Sequence, residues 1–145
     1  PQRMWSTADE FELDLTSGAV ERVWSFGPPA SGPLLPPLLV DHLGSFYAHH
    51  SSGVRRCPDG TNTLVTLGPQ GVVFEVTPDG EEVWRFVNPV EQRRQRAPAV
   101  VRQGAQRGAG NFGLFFAERY PPDHCAQLRD LAPGPRVEDF VPHWP

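Results

Sequence analysis

The sequence predicts an all-β fold, a partial β-propeller made of antiparallel four-stranded meanders with Pro-rich connections. Three observations carry that prediction: a high density of turn residues, strands that are apolar on both faces, and a hairpin pattern that occurs twice. The 145 residues include 17 Pro and 14 Gly, about a fifth of the chain against a usual 12% or so. A chain punctuated so often forms short strands and tight turns rather than long helices. Val72, Phe74 and Val76 alternate to one side with Val73 on the other, and Val83 and Val87 oppose Trp84 and Phe86. A sandwich keeps one solvated face per sheet, whereas radial stacking of blades covers both. The string Phe-Glu-aliphatic, turn, Val-Trp-x-Phe runs from Phe11 to Phe26 and again from Phe74 to Phe86. At about 40 to 50 residues per blade, the chain holds about two to three blades, too few to close a ring. It begins at Pro1 without an initiator Met, so residues 1–145 are expected to be a processed or trimmed chain or a fragment.

The elements follow in order. Residues 11–15 alternate apolar and polar side chains, Thr16-Ser17-Gly18 supplies a turn, and residues 20–26 resume the strand pattern, so residues 9–26 form the outer hairpin of one blade. Residues 27–37 contain five Pro and read as an extended connection, with Leu34, Leu35, Leu38 and Leu39 packing on a neighbour. A complete blade spans residues 46–88. Its strands are residues 46–56, residues 63–67 after Pro58-Asp59-Gly60, the run through Phe74 after Gly68-Pro69-Gln70-Gly71, and the run through Trp84 after Thr77-Pro78-Asp79-Gly80. In that last turn Pro presets φ, Asp caps, and Gly accepts a positive φ before a bulge. Residues 91–110 carry Arg93, Arg94, Arg96, Arg102 and Arg107 against Glu91 and read as a flexible Arg/Gly-rich insertion, with an anion contact as the alternative. Residues 111–131 supply a closing strand through Leu114 to Tyr120 and a tail.

Composition excludes several classes. The net charge of −4, with every basic residue Arg, argues against nucleic acid as partner. No run approaches the roughly 18 to 20 apolar residues of a membrane-spanning helix. Cys57 and Cys125 leave one bridge open, and neither CxxC nor Cys/His spacing suggests a metal. No phosphate-cradling Gly loop follows a strand and no cofactor is expected.

The run Phe46-Tyr47-Ala48-His49-His50-Ser51-Ser52-Gly53-Val54-Arg55-Arg56, then Pro58-Asp59-Gly60-Thr61-Asn62-Thr63-Leu64-Val65, then residues 71–89, resembles the last full blade of arylsulfotransferase-like proteins. Residues 111–130, with Arg119-Tyr120-Pro121-Pro122-Asp123-His124, resemble the closing segment of that family. With the first hairpin, the resemblance covers about two thirds of the chain, and it implies that residues 1–145 are a C-terminal fragment of a propeller domain. Thr61 is inserted relative to the family pattern, Cys57 replaces an apolar residue, and Phe116 stands where a basic residue is common. The resemblance implies a six-bladed propeller that moves a sulfuryl group from a phenolic sulfate ester to a phenol, without a nucleotide donor, through a channel histidine. An unprotonated imidazole is a competent nucleophile near neutral pH, and a covalent intermediate divides one hard transfer into two easier ones.

By that resemblance His50 is the expected catalytic residue, on an innermost strand facing the channel, with His49 turned to the opposite face. Arg55, Arg56 and Tyr47 are expected to bind the sulfate and the phenolic ring. Tyr120 is a further ring candidate, His42, His124 and His143 are expected to be exposed, and Trp24 and Trp84 to be framework residues between sheets. The expected partners are a small aryl sulfate if the chain is active, and further blades or another chain covering the sheet edges. The alternative is a non-catalytic propeller fragment that serves as a binding or assembly module.

Overall fold

The structure, a computed structural model, describes residues 6–27, 46–92, 98–102, 111–121, 123–129, 132, 134–136 and 139. The expected connection after Gly27, the exposed sites of His42 and His143, and most of the expected insertion at 91–110 lie outside the described residues. Within them the chain is all-β with several antiparallel sheets and a single helical turn, α1 (Ala126–Arg129). No helix among the described residues is long and apolar enough to cross a membrane.

The centre is a four-stranded meander, β3 (Gly53–Arg56), β4 (Thr63–Leu67), β5 (Val72–Val76) and β6 (Glu82–Val87), each strand antiparallel to the next. Every residue of β4 and β5 is buried. Their alternation sends Val65, Leu67, Val72, Phe74 and Val76 to one face and Leu64 and Val73 to the other. Pro58-Asp59-Gly60 turns β3 into β4 as expected, with Gly60 at φ 73° and its amide donating to the Cys57 carbonyl at 2.8 Å. Gly80 likewise takes φ 86° and donates to the Thr77 carbonyl at 3.0 Å, and the β5–β6 register shifts between Glu75 and Val76, opposite Val83.

The first face is sealed by the hairpin β1 (Ala8–Leu13) and β2 (Val20–Phe26) together with Phe46 and Ala48. Phe26 meets Phe46 edge-on at 5.1 Å and Phe74 at 5.8 Å, and the Trp24 indole donates to the Pro78 carbonyl at 2.8 Å. The second face is crossed by residues 111–119. Leu114 and Ala117 pack on Cys57, Leu64 and Val73, the Leu114 amide donates to Gly68 and the Ala117 amide to the Thr66 hydroxyl.

Three expectations need correction. The strand expected over 46–56 is confined to β3. Ser6 pins Phe46 and Ala48 through three hydrogen bonds, and a bend at His49 to Ser51, with Ser51 at φ 49°, carries the chain round into β3. The strand expected through Leu114 to Tyr120 does not form, because this segment lies across the face of the sheet and bonds to Gly68 and Thr66 instead of pairing along an edge. The expected flexible insertion at 91–110 has an ordered base: β7 (Val90–Glu91) pairs with β8 (Ala99–Val100), and Gln92 bridges to Asn111.

Phe74 stands at the meeting point of Phe26, Phe46 and the aliphatic row of β4 and β5. Phe74→Ala is expected to destabilise the chain by about 3 to 5 kcal/mol in urea unfolding, the usual cost of an aromatic cavity in a packed core.

Candidate functional site

The expected site residues cluster at the start of the meander, and β3 separates them. Tyr47 stacks on His49 at 6.2 Å between ring centroids, and His49 meets His50 edge-on at 4.2 Å. The bend therefore brings the two histidines together, whereas a regular strand would have sent them to opposite faces. Both are exposed, and the Ser52 hydroxyl donates to the His50 carbonyl at 3.2 Å. His50 lies on the bend that precedes β3.

Arg55 and Arg56 alternate across β3 and leave for opposite faces. Arg56 pairs with Glu10, donates to the Thr63 hydroxyl at 2.8 Å, and lies over the Trp24 ring at 5.4 Å. Arg55 reaches the other face, 3.4 Å from Glu118 and 5.9 Å over the Phe116 ring. A hollow of about 390 Å³ runs beside it, lined by Ser51, Ser52, Phe115 and Phe116 among others. Arg55 borders this hollow with Glu118 as its carboxylate partner, and Arg56 lines hollows of about 330 Å³ with the half-exposed Glu10 as its partner. Tyr120 joins Arg55 through the shared Glu118 carboxylate, its hydroxyl donating to Glu118 at 2.8 Å, a bond that raises its pKa, and its ring lies 4.4 Å from that of exposed His124.

Sequence reasoning missed Glu75. On β5 it turns to the second face opposite Trp84, only 8% of its side chain exposed. Asn62 donates to it at 2.7 Å and Arg119 pairs with it. The signal in the sequence was a lone Glu in the apolar run Val72-Val73-Phe74-Glu75-Val76. Beside it Cys57 is buried and carries a free thiol whose pKa burial raises, and Cys125 is free as well. No group of three His, Cys, Asp or Glu among the described residues is placed to hold a metal ion.

The same contact occurs twice. Glu10 pairs across the hairpin with Trp24 and receives Arg56; Glu75 pairs across β5 and β6 with Trp84 and receives Arg119. Both hairpins carry a register shift immediately after that Glu, at Glu10/Phe11 and Glu75/Val76. The Phe46 carbonyl accepts from Ser6, four residues before Glu10, and the Phe112 carbonyl lies against Gly71, four residues before Glu75. Residues 112–119 thus stand to the meander as residues 46–56 stand to the first hairpin. The Trp-x-Phe strands match as the sequence has them, but the first strands do not: by register Phe11 corresponds to Val76, two residues displaced from the Phe-Glu-aliphatic string. The expected framework role holds for Trp24, which lies between the hairpin and the sheet. Trp84 is 47% exposed.

No protein-family model, curated protein or solved structure matches the chain.

Three aspartates tie down turns and strand ends. Bonds from Thr7 and Ser25 together with Arg22 depress Asp9, Ser17 and Thr16 depress Asp14, and Thr61 depresses Asp59. Depressed carboxylates stabilise the fold above their unfolded value of about 3.9 and lose that contribution as pH falls through the folded value. The melting temperature is therefore expected to drop as pH falls below about 4, and Asp9→Asn to flatten that drop in a thermal-melt series.

Proposed function

We propose that the chain is a non-catalytic β-propeller-type repeat module whose role is assembly. It carries one complete blade in residues 46–88, the outer hairpin of the preceding blade, and the opening segment of the following one in residues 111–119. The doubled contact supports this reading most directly. In each copy a Glu opposite a Trp is gripped by an Arg delivered by the next segment of chain, a recurring contact between one unit and the next of the kind a stacked repeat requires. Two faces of one sheet covered by the units before and after it fit radial stacking better than a sandwich.

In such an array each unit is coupled chiefly to its neighbour. Native-state hydrogen exchange checks this. Arg56→Met is expected to speed exchange in β1 and β2 and leave the Leu114 and Ala117 amides unchanged, and Arg119→Met is expected to do the reverse. Uniform loss of protection across all strands in either variant contradicts the repeat reading.

A second reading is favoured by the ring cluster of Tyr47, His49 and His50 close in sequence to Arg55 and its hollow. By resemblance to arylsulfotransferase-like proteins, His50 would attack the sulfur of an aryl sulfate, the S–O bond to the phenol would break, and the phenolate would depart with Arg55 facing the sulfate oxygens. The sulfohistidine would then pass the group to an acceptor phenol. This reading expects release of nitrophenolate from 4-nitrophenyl sulfate in the presence of phenol, reduced at least about 100-fold in His50→Ala and unchanged in His124→Ala. No release by the unmodified chain contradicts it.

A further inference from the structure

We propose that residues 115–119 form a flap that lifts from the second face while the meander stays folded, and that Cys57 lies beneath it as a thiol reached only in the open state. The flap stands apart from the repeat reading, since it needs nothing but the cover over the second face.

The chain is fixed firmly just before the flap. The Gln92 amide donates to the Asn111 carbonyl at 2.7 Å, the buried Asn88 side chain donates to the Phe112 carbonyl at 2.8 Å, and the Leu114 amide donates to the Gly68 carbonyl at 2.9 Å. Beyond Leu114 the hold is slight. Of residues 115–119 only Ala117 packs on the buried cluster of Cys57, Leu64 and Val73, and its amide donates to the Thr66 hydroxyl at 3.1 Å. Arg119 pairs with Glu75, Glu118 stands 3.4 Å from Arg55, and Phe115 is 77% exposed. After Arg119 no described residue bonds back to the sheet: the Tyr120 hydroxyl donates to Glu118, the His124 amide to the Pro121 carbonyl, and the Cys125 thiol to Gln127. Few buried apolar contacts and few backbone bonds mark a segment that opens at a cost well below that of the whole fold.

Space borders the flap. A hollow of about 330 Å³ lies between Arg119 and the corner at Cys57 and Pro58, and one of about 390 Å³ between Phe116 and Ser51. A third, of about 400 Å³, lies between the flap and the exposed, stacked strip of Trp84 and Phe86. A cover seated like a core element leaves no such margins. The sheet beneath keeps its own bonds. Strands β4 and β5 are paired with β3, with β6 and with each other, and Cys57 is held by its turn, its amide donating to the Asn62 carbonyl at 2.8 Å. Opening therefore breaks no strand pairing, gives the Thr66 hydroxyl and the Glu75 carboxylate to water, and uncovers Cys57, which is only 5% exposed in the closed form. The closed form predominates because it keeps Cys57, Leu64 and Val73 out of solvent.

Thiol labelling of the full chain tests this in a Cys125→Ser background, which leaves Cys57 as the sole thiol. With dithiobis(nitrobenzoate) as probe, the Cys57 thiolate attacks one sulfur of the reagent, a mixed disulfide forms, and thionitrobenzoate leaves as the coloured product. Labelling without denaturant is expected to run at least about 100-fold faster than global unfolding allows, with a urea dependence well below that of the unfolding transition. Glu75→Gln/Arg119→Met, which unties the end of the flap and leaves no buried charge unpaired, is expected to speed labelling about tenfold or more. Ala117→Gly is expected to speed it about two- to tenfold, and Phe115→Ser to leave it unchanged. In the labelled chain the Ala117 amide is expected to exchange freely while the amides of β4 and β5 stay protected. Labelling that follows global unfolding with its full urea dependence overturns the flap. Labelling as fast as that of the unfolded chain also overturns it, because the face is then never closed, as does equal acceleration by Phe115→Ser. Neighbour-limited hydrogen exchange combined with labelling through global unfolding removes the flap alone. If Arg56→Met loosens every strand, the repeat reading falls, and labelling of Cys57 below the unfolding transition still upholds the flap.

Discussion

Strands β4 and β5 turn no row of side chains to water, and that constraint organises everything around them. A buried strand pair gains about 1.5 to 3 kcal/mol for each large aliphatic or aromatic side chain it removes from solvent, but only if both faces are covered. The meander alone covers neither. The first hairpin is therefore a structural requirement of the sheet, and so is the irregular segment 111–119, which contributes little regular hydrogen bonding yet closes the second face.

The two covers differ in chemistry. Aromatic rings close the first face: Phe26, Phe46 and Phe74 meet edge-on or tilted, an arrangement that suits ring quadrupoles. The second face is closed by the small apolar contacts of Leu114 and Ala117 together with polar and backbone groups, among them the Glu75 carboxylate. A carboxylate this far from water is tolerated only when paired and hydrogen-bonded, and here Asn62 and Arg119 do both. Because Arg119 is itself half exposed, the pair links the interior to the rim, and the aromatic strip next to it stays uncovered. One face of the sheet is finished, and the other is only begun.

Much of this arrangement was legible in the sequence, because period-two alternation and Pro-Asp-Gly turns act locally. The order of the four central strands, the two-faced burial of β5, and the turns at Gly60 and Gly80 all follow from residues within a few positions of each other. What could not be read depended on distant partners. The break in the strand before β3 is imposed by Ser6, 42 positions from Ala48. The absence of a strand at 114–120 depends on Gly68 and Thr66 offering bonds across the sheet face. At the candidate site, His50, Arg55 and Arg56 were identified as chemistry-bearing side chains. Which of them share a space was set by the bend and by the alternation of β3, which sends Arg56 to Glu10 and Arg55 to Glu118. Glu75 went unnoticed because an apolar run gives no hint that a charge within it will find an arginine 44 positions away.

The short turn between β4 and β5 joins three segments of chain at van der Waals limits. A methyl group at Gly68 would stand 1.5 Å from the Ser51 carbonyl oxygen and 2.5 Å from that of Leu114, and one at Gly71, already at φ 63°, would stand 2.1 Å from the Phe112 oxygen. Backbone meets backbone at both positions, so no rotamer change relieves the clash. Surface turns are ordinarily where a protein's sequence drifts most freely. In this molecule the turn is a tether: the bend before β3 and the segment over the second face keep their places only while both positions stay without a side chain, whereas at Gly18 an added methyl meets nothing within 4 Å and only its φ of 72° favours glycine.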